Sequence, residues 1–452
     1  MTLTREKFFK LAFLALVFAV PFGTKKFLFS FSTPFSNYYT SEYTAAFLFG
    51  TDLLLLAALA LFFLQLRGTR LREVFDCVRE PLLFLALFVG FALLSLVTAP
   101  YLGFGVYAFL RLVGALLAGL LAWGALRGGL VAFPEVATAL GASATLQAIV
   151  ALSQFSFQKS VGLWWLGETV ALGPGTPGIA SISVNGLSLV RAYGTLPHAN
   201  ILAGFLVLGI LALSFLFLAG RRFATCVCAA GGLALTLAGL VVTFSRSGWI
   251  VAVCGFGALF VFALLRRASW RRLAALVFVV LLSITVVASA LRFAVMPRAN
   301  LSADESSVRD RWTMNEMGTA LVVSRPWGVG LGNQLFFSYD EGWFHKFGLT
   351  ARGQWQPVHN LYLLLASELG VMGLITFLAL VCSAFALNLP RRGFPNAVAA
   401  IALSSLLLFG LFDHFLWDLE AGRLMLWMVL GILLGLGASP RPAASVGADR
   451  SK

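Results

Sequence analysis

Four histidines and a handful of arginines carry most of the reactive chemistry in this sequence. Their neighbours limit what they can do. Arg191 heads the segment Arg191-Ala192-Tyr193-Gly194-Thr195-Leu196-Pro197-His198-Ala199-Asn200, in which Gly and Pro shape a turn that runs into an apolar stretch. His198 or Asn200 could cap the helix that follows. Arg246 lies in Thr243-Phe244-Ser245-Arg246-Ser247-Gly248-Trp249, a connection only long enough to reverse the chain between two apolar runs. A guanidinium there invites an anion, and the choices are a carboxylate, a lipid phosphate or a substrate. His359 stands in Gln356-Pro357-Val358-His359-Asn360-Leu361-Tyr362, at the entry to a long apolar run, where Pro357 suits a helix start. If one helix runs on from there at 100° per residue, Gly370 returns to within about 20° of His359 and Gly373 to within about 40°. Small residues on that face would let a neighbouring helix come close and fix the histidine.

The elements that must position these side chains are membrane helices. The chain has 452 residues, 60% hydrophobic and only 12% charged, against about 25% charged in soluble domains. A bilayer core about 30 Å thick needs roughly 20 apolar residues per helix. Apolar runs fall at 9–22, 44–65, 81–98, 106–126, 134–155, 198–219, 223–243, 248–265, 273–292, 359–388, 397–412 and 423–438. They lack the alternation of barrel strands, so helices are expected throughout. The expected fold is all-α: one integral domain over 1–452, a polytopic bundle of about 12 transmembrane helices. The stretch Arg5, Lys7 and Lys10 before an apolar run resembles a signal peptide, but no small-x-small cleavage site precedes Gly23, and a retained first helix is expected.

A formal net charge of +14 would suggest nucleic acid in a soluble protein. Here the charge marks topology. Basic clusters at Arg67, Arg70 and Arg72, at Arg221 and Arg222, at Arg266, Arg267, Arg271 and Arg272, and at Arg391 and Arg392 separate apolar runs and read as cytoplasmic loops. Both termini are then cytoplasmic, and His198, His345, His359 and His414 all fall on the outer side with Arg191, Arg246 and Arg423. The apolar runs themselves are nearly uncharged at mid-length, which disfavours a flippase or transporter. Of the five cysteines, Cys77 falls in a cytoplasmic loop and the rest in apolar runs; Cys226 and Cys228 diverge by about 200° on a helix and cannot chelate one metal. Two outer connections are long. That at 293–358 is expected to be partly helical, with Ser306 or Ser307 as a cap, Met314, Met317 and Leu321 on one face, and Pro326 ending the helix. The tail over 440–452 is expected to be disordered and cytoplasmic.

Three blocks, in order, resemble the O-antigen ligase and O-antigen polymerase superfamily of membrane glycosyltransferases. They are Arg191 to Asn200, the turn Ser245-Arg246-Ser247-Gly248, and Pro326-Trp327-Gly328-Val329-Gly330-Leu331-Gly332-Asn333 followed by His359-Asn360. The ligase-type pattern of His-Asn, nine residues, then Gly-x-x-Gly is met by His359, Asn360, Gly370 and Gly373. The resemblance spans roughly 185–435 and implies a GT-C-like bundle in the bacterial inner membrane, with a periplasmic active site. It implies transfer of a glycan from undecaprenyl pyrophosphate to an acceptor hydroxyl such as that of lipid A core, with no cofactor, metal or nucleic acid. On that chemistry Arg191 and Arg246 would bind the pyrophosphate. His359 would take the acceptor proton, since imidazole is largely neutral at pH 7 and nearby arginines keep it so. Arg311, before Trp312, matches the family's outer-loop Arg element, and Arg309 contends by position; Asn360, His198 and Asn200 would support the site. A polymerase that extends the carrier-linked glycan is the alternative, although the polymerase pattern of an Arg followed at long fixed spacing by Gly is not clean after Arg191, where Gly204 comes thirteen residues on.

Overall fold

The computed structural model describes residues 2–35, 41–65, 79–299, 306–389 and 393–438. In chain order its elements are α1 (Thr2–Ala19), β1 (Lys25–Ser30), β2 (Ala45–Phe49), α2 (Gly50–Gln65), α3 (Arg79–Leu94), α4 (Leu102–Arg127), α5 (Phe133–Phe157), β3 (Ser181–Val184) and β4 (Leu187–Val190). There follow α6 (Ala199–Ala219), α7 (Phe223–Val242), α8 (Arg246–Leu265), α9 (Trp270–Ala290), α10 (Arg292–Ala299), α11 (Ser306–Ser324), α12 (Gln334–Asp340), α13 (Trp343–Lys346), α14 (Leu361–Asn388), α15 (Phe394–Phe409), α16 (Phe415–Asp418) and α17 (Glu420–Ala438). Each of the twelve apolar runs holds a helix. Among the described residues nine helices are long and apolar enough to cross a membrane. The other three are α2 and α15, 16 residues each, and α1, whose first half carries Arg5, Glu6, Lys7 and Lys10. The chain is therefore a multi-pass membrane protein of predominantly α architecture. The basic positions 67, 70, 72, 391 and 392, Cys77 and the tail 440–452 lie outside the described residues.

Two hairpins depart from the all-helix expectation. The run 44–65 opens as strand, because Ala45–Phe49 pairs antiparallel with Lys25–Ser30, from Lys25 opposite Phe49 to Ser30 opposite Ala45. The outer connection 156–197 contains the second, β3 with β4, closed by Asn185 and Gly186 at φ 51° and 81°. Asn-Gly with both residues left-handed is the turn whose twist matches paired strands.

At the centre stands α6, whose apolar stretch is 89% buried. It runs from the Arg191–Asn200 segment at one end of the bundle to Arg221 and Arg222 at the other, and α8 likewise runs from Arg246 to Arg266 and Arg267. Within α4, Arg111 grips both oxygens of Asp52 at 2.9 and 2.8 Å and a carboxylate oxygen of Glu420 at 3.1 Å. This largely buried ion cluster ties the first turns of α2 and α17 to α4, and removing one partner from such a set costs about 3–5 kcal/mol.

The helix α11 packs Met314, Met317 and Leu321, all at most 2% exposed, and leaves Trp312 outside. It ends at Ser324, ahead of Pro326. The next residues clamp α14. Val329 N–H donates to Ser367 O at 2.8 Å, Gly330 N–H to Glu368 O at 3.1 Å, and Val371 N–H to Pro326 O at 2.9 Å. Those bonds exist because α14 breaks at Gly370, which sits at φ 77° and ψ 173°. A Cβ there would lie 2.7 Å from Pro326 O, and one on Gly328, itself left-handed, 2.4 Å from Glu368 O. The placing of Gly370 and Gly373 on the helical face of His359 is thereby corrected: His359 precedes the helix, and the helix is interrupted before either glycine could share its face.

Candidate active site

A cavity of about 580 Å³ lies at the end of the bundle where α6, α14 and α17 begin, and His198, Arg311, His359, Asp413 and His414 line it. Lys25, Glu42 and Tyr43 enter from the first hairpin and the segment within it, and Arg352 to Pro357 from the approach to α14.

His359 sits in a bend directly before a well-made helix start. Asn360 caps α14, its side-chain oxygen accepting from Tyr362 N–H at 2.9 Å and Leu363 N–H at 3.1 Å. On the other side Val358 N–H donates to Gln334 Oε1 at 3.3 Å, which ties the histidine to the glycine-rich block. The His359 Nδ1 lies 3.0 Å from Pro357 O. A carbonyl only accepts, so Nδ1 carries the proton and the neutral ring keeps its lone pair on Nε2. Burial, then His414 and Arg311, hold His359 well below its ordinary pKa.

His414 is the counterpart. Its Nδ1–H donates to Asp418 at 2.7 Å, one turn along α16, and its ring stands perpendicular to that of His359 with centroids 4.8 Å apart. Burial works against its charge, but Asp418 and then Asp413 raise its pKa. The two imidazoles are thus driven apart, one toward the neutral base and one toward the cation.

Asn200 joins three stretches of chain. Its oxygen accepts from Arg191 Nη2 at 2.6 Å and Ser245 Oγ at 3.0 Å, and its amide donates to Asp413 Oδ2 at 2.7 Å. Arg191 also donates through Nε to Thr243 O at 2.7 Å. Two of its five N–H donors are engaged in this way. Arg191 is only 6% exposed; burial, then Arg298 and Arg311, lower its pKa to about 9, which leaves it charged at neutral pH. His198 caps α6 by accepting from Asn200 N–H at 3.1 Å on Nδ1, so its Nε2 carries the proton. Burial, then Arg191, lower the His198 pKa to about 3. Asp413 is the acid among them. Burial would raise it, but His414 and Arg311 outweigh that, and it stays ionised.

The expected residues thus fall into two groups. His198, Arg311 and His359 reach the cavity wall; Arg191 and Asn200 are buried and coupled to it through Asp413. Arg246, half-buried, opens α8 directly after Ser245, outside the wall. Arg309 points to the exposed side of α11, and Asn360 acts as a cap. The sequence places His414 on the outer side but gives it no role, and it does not mark Asp413, Lys25, Glu42 or Trp355. The i, i+4 pair His414 and Asp418 was the available signal. Among the described residues no group of three His, Cys, Asp or Glu is placed to hold a metal ion.

No curated protein matches the chain. A family match covers about a third of it, including Arg246, Arg309, Arg311, His359, Asn360 and the clamped break at Gly370, and leaving out Arg191, His198 and Asn200. Residues 231–378 match the family described as O-antigen ligase, and on that match the chain's resemblance to the O-antigen ligase and polymerase superfamily stands.

Proposed function

We propose that this chain is an O-antigen ligase type glycosyltransferase that moves a glycan from undecaprenyl pyrophosphate to an acceptor hydroxyl, lipid A core being the expected acceptor, at the periplasmic face. One observation carries the proposal: an imidazole with a free Nε2 and a guanidinium, from separate stretches, share one cavity at the bundle end opposite Arg221, Arg222, Arg266 and Arg267. Basic clusters favour the cytoplasm, which supports a cavity on the outer side.

In the proposed step His359 Nε2 takes the acceptor O–H proton while the oxygen attacks the anomeric carbon. The bond from that carbon to the diphosphate oxygen breaks, and the diphosphate leaves with the electron pair. Arg311 meets this charge from the wall, Arg191, buried behind Asn200 and Asp413, adds its field and remaining donors, and Arg246 at the start of α8 is assigned to the diphosphate with them. Asn200 holds Arg191 in place and His198 fixes Asn200 through its backbone N–H, Asn360 fixes the start of α14, and Arg309 on the exposed side is placed to meet the incoming lipid-linked donor. Positive charge supplied by guanidinium makes a metal unnecessary.

The test is transfer by purified protein given carrier-linked glycan and candidate acceptors, with and without EDTA. EDTA is expected to leave the rate unchanged, and His359→Ala to lower it by about 10²–10⁴-fold while the protein still inserts. Full activity in that variant would remove His359 from the mechanism. Glycan joined to lipid A core marks a ligase, and growth of the carrier-linked chain a polymerase.

A further inference from the structure

We propose that Trp355 is a carbohydrate platform, whose indole face stacks on a sugar ring and so selects the glycan that the cavity accepts. The inference rests on the glycan-transfer reading above and deepens it.

Trp355 lines the same cavity as His359 and Arg311 and precedes His359 by four residues. Four residues of extended chain reach at most about 14 Å, so the ring lies within the span of a short oligosaccharide whose hydroxyl meets His359. The indole N–H donates to Leu349 O at 3.0 Å. That donor is therefore spent inside the loop, and what the side chain brings to the cavity it lines is ring surface. Tyr339 at 5.0 Å and 69°, Phe35 at 6.2 Å and 64° and His345 at 6.2 Å and 65° stand steeply inclined to the ring and fix its plane.

The loop beneath is tied down as well. Gln354 uses both ends of its amide, accepting from Ala351 N–H at 3.0 Å and donating to Asp310 Oδ1 at 3.0 Å, beside Arg311. A rigid aromatic contributes contact area with little entropy left to lose on binding. Around it the wall is polar: Lys25 and Glu42 pair at 2.9 Å, and Ser41 and Gln356 also line the cavity. A pyranose has an apolar C–H face and a rim of hydroxyls. An immobile aromatic face among ionic and amide groups matches both parts, whereas a lipid tail would leave the polar groups unmatched and an inorganic anion would leave the ring unused.

Two substitutions test this in the full-length protein. Trp355→Phe keeps a flat ring, and Trp355→Leu keeps apolar bulk for Tyr339 and Phe35 but no flat face. KM is measured separately for the carrier-linked donor and for the acceptor. The Leu variant is expected to raise one of the two by about tenfold, ~1.4 kcal/mol, with kcat little changed, while the Phe variant stays near the parent. Whichever KM rises assigns the stacked sugar to donor or acceptor. Unchanged KM for both, or an equal loss of kcat in both variants, would overturn the platform and leave Trp355 a packing residue. Should the parent protein show no transfer at all, saturation-transfer NMR with maltotriose and chitotriose separates the two ideas. Binding lost in the Leu variant would support the platform although the reaction had failed; equal signals would overturn it.

Discussion

His359 and His414 stand 4.8 Å apart, and two imidazoles this close resist charging together. Asp418 raises the pKa of His414, and burial, then His414 and Arg311, hold that of His359 well below its ordinary value. A base whose pKa is depressed remains unprotonated to lower pH. The acidic limb of kcat/KM is therefore expected to fall below pH 6.5, the ordinary histidine value. Asp418→Asn removes the largest group that raises His414 and leaves Asp413 alone to do so, so the His414 pKa falls, His359 feels less positive charge and becomes more basic, and the acidic limb moves to higher pH. A pH profile identical in parent and variant would uncouple the pair. At this scale the residue types were readable in advance, because a histidine or arginine at an outer helix end is conspicuous. Asp418 is legible only as the i+4 neighbour of His414, a spacing that carries meaning once Phe415–Asp418 forms a helical turn.

At the scale of elements, the break in α14 is what joins the glycine-rich block to the histidine. The block bonds to Ser367 and Glu368 on one side, and through Gln334 to Val358 on the other. Gly370→Ala puts a Cβ 2.7 Å from Pro326 O at a left-handed φ of 77°. A strained residue of that kind costs on the order of 1–3 kcal/mol, so thermal unfolding in detergent should occur at lower temperature and transfer should fall with it. Parent-like stability would mean that the clamp is not under this constraint. The motif spacing pointed to Gly370, but a helical-wheel count assumes unbroken i to i−4 bonding, and here the bonds of the break go to a different segment. The first hairpin was hidden for a related reason. Ala45–Phe49 is as apolar as the helix it precedes, and only its pairing with Lys25–Ser30 makes it a strand.

Across the whole molecule, the cavity and the basic clusters occupy opposite ends of α6 and α8. Orientation is open to direct labelling. With the five native cysteines replaced, a cysteine put in place of Lys346 is expected to react with a membrane-impermeant thiol reagent from the periplasmic side, and one in place of Arg266 only after the cytoplasmic side is opened. The reverse pattern would put the cavity in the cytoplasm and end the proposal that it meets a periplasmic acceptor. The same view explains how the first part of the chain enters the site. Lys25 and Glu42 reach the wall, Tyr43 packs 6.5 Å from the His414 ring, and Phe35 packs on Trp355.

Hydropathy sums over about twenty neighbouring residues, so the sequence by itself determined that lipid is the solvent, where the helices run and which ends carry the basic loops. It also marked the histidine, the arginines and the glycines by type and spacing. Convergence is a different kind of fact. Asn200 meets Asp413 from 213 positions away, and Arg111 meets Glu420 from 309. Which arginine lines the cavity and which lies buried behind it depends on how helices distant in sequence pack, and no local sum of residue properties contains that. Only the tertiary structure decided that Arg311 and His359 share one wall, that His414 faces His359, and that Trp355 stands beside them.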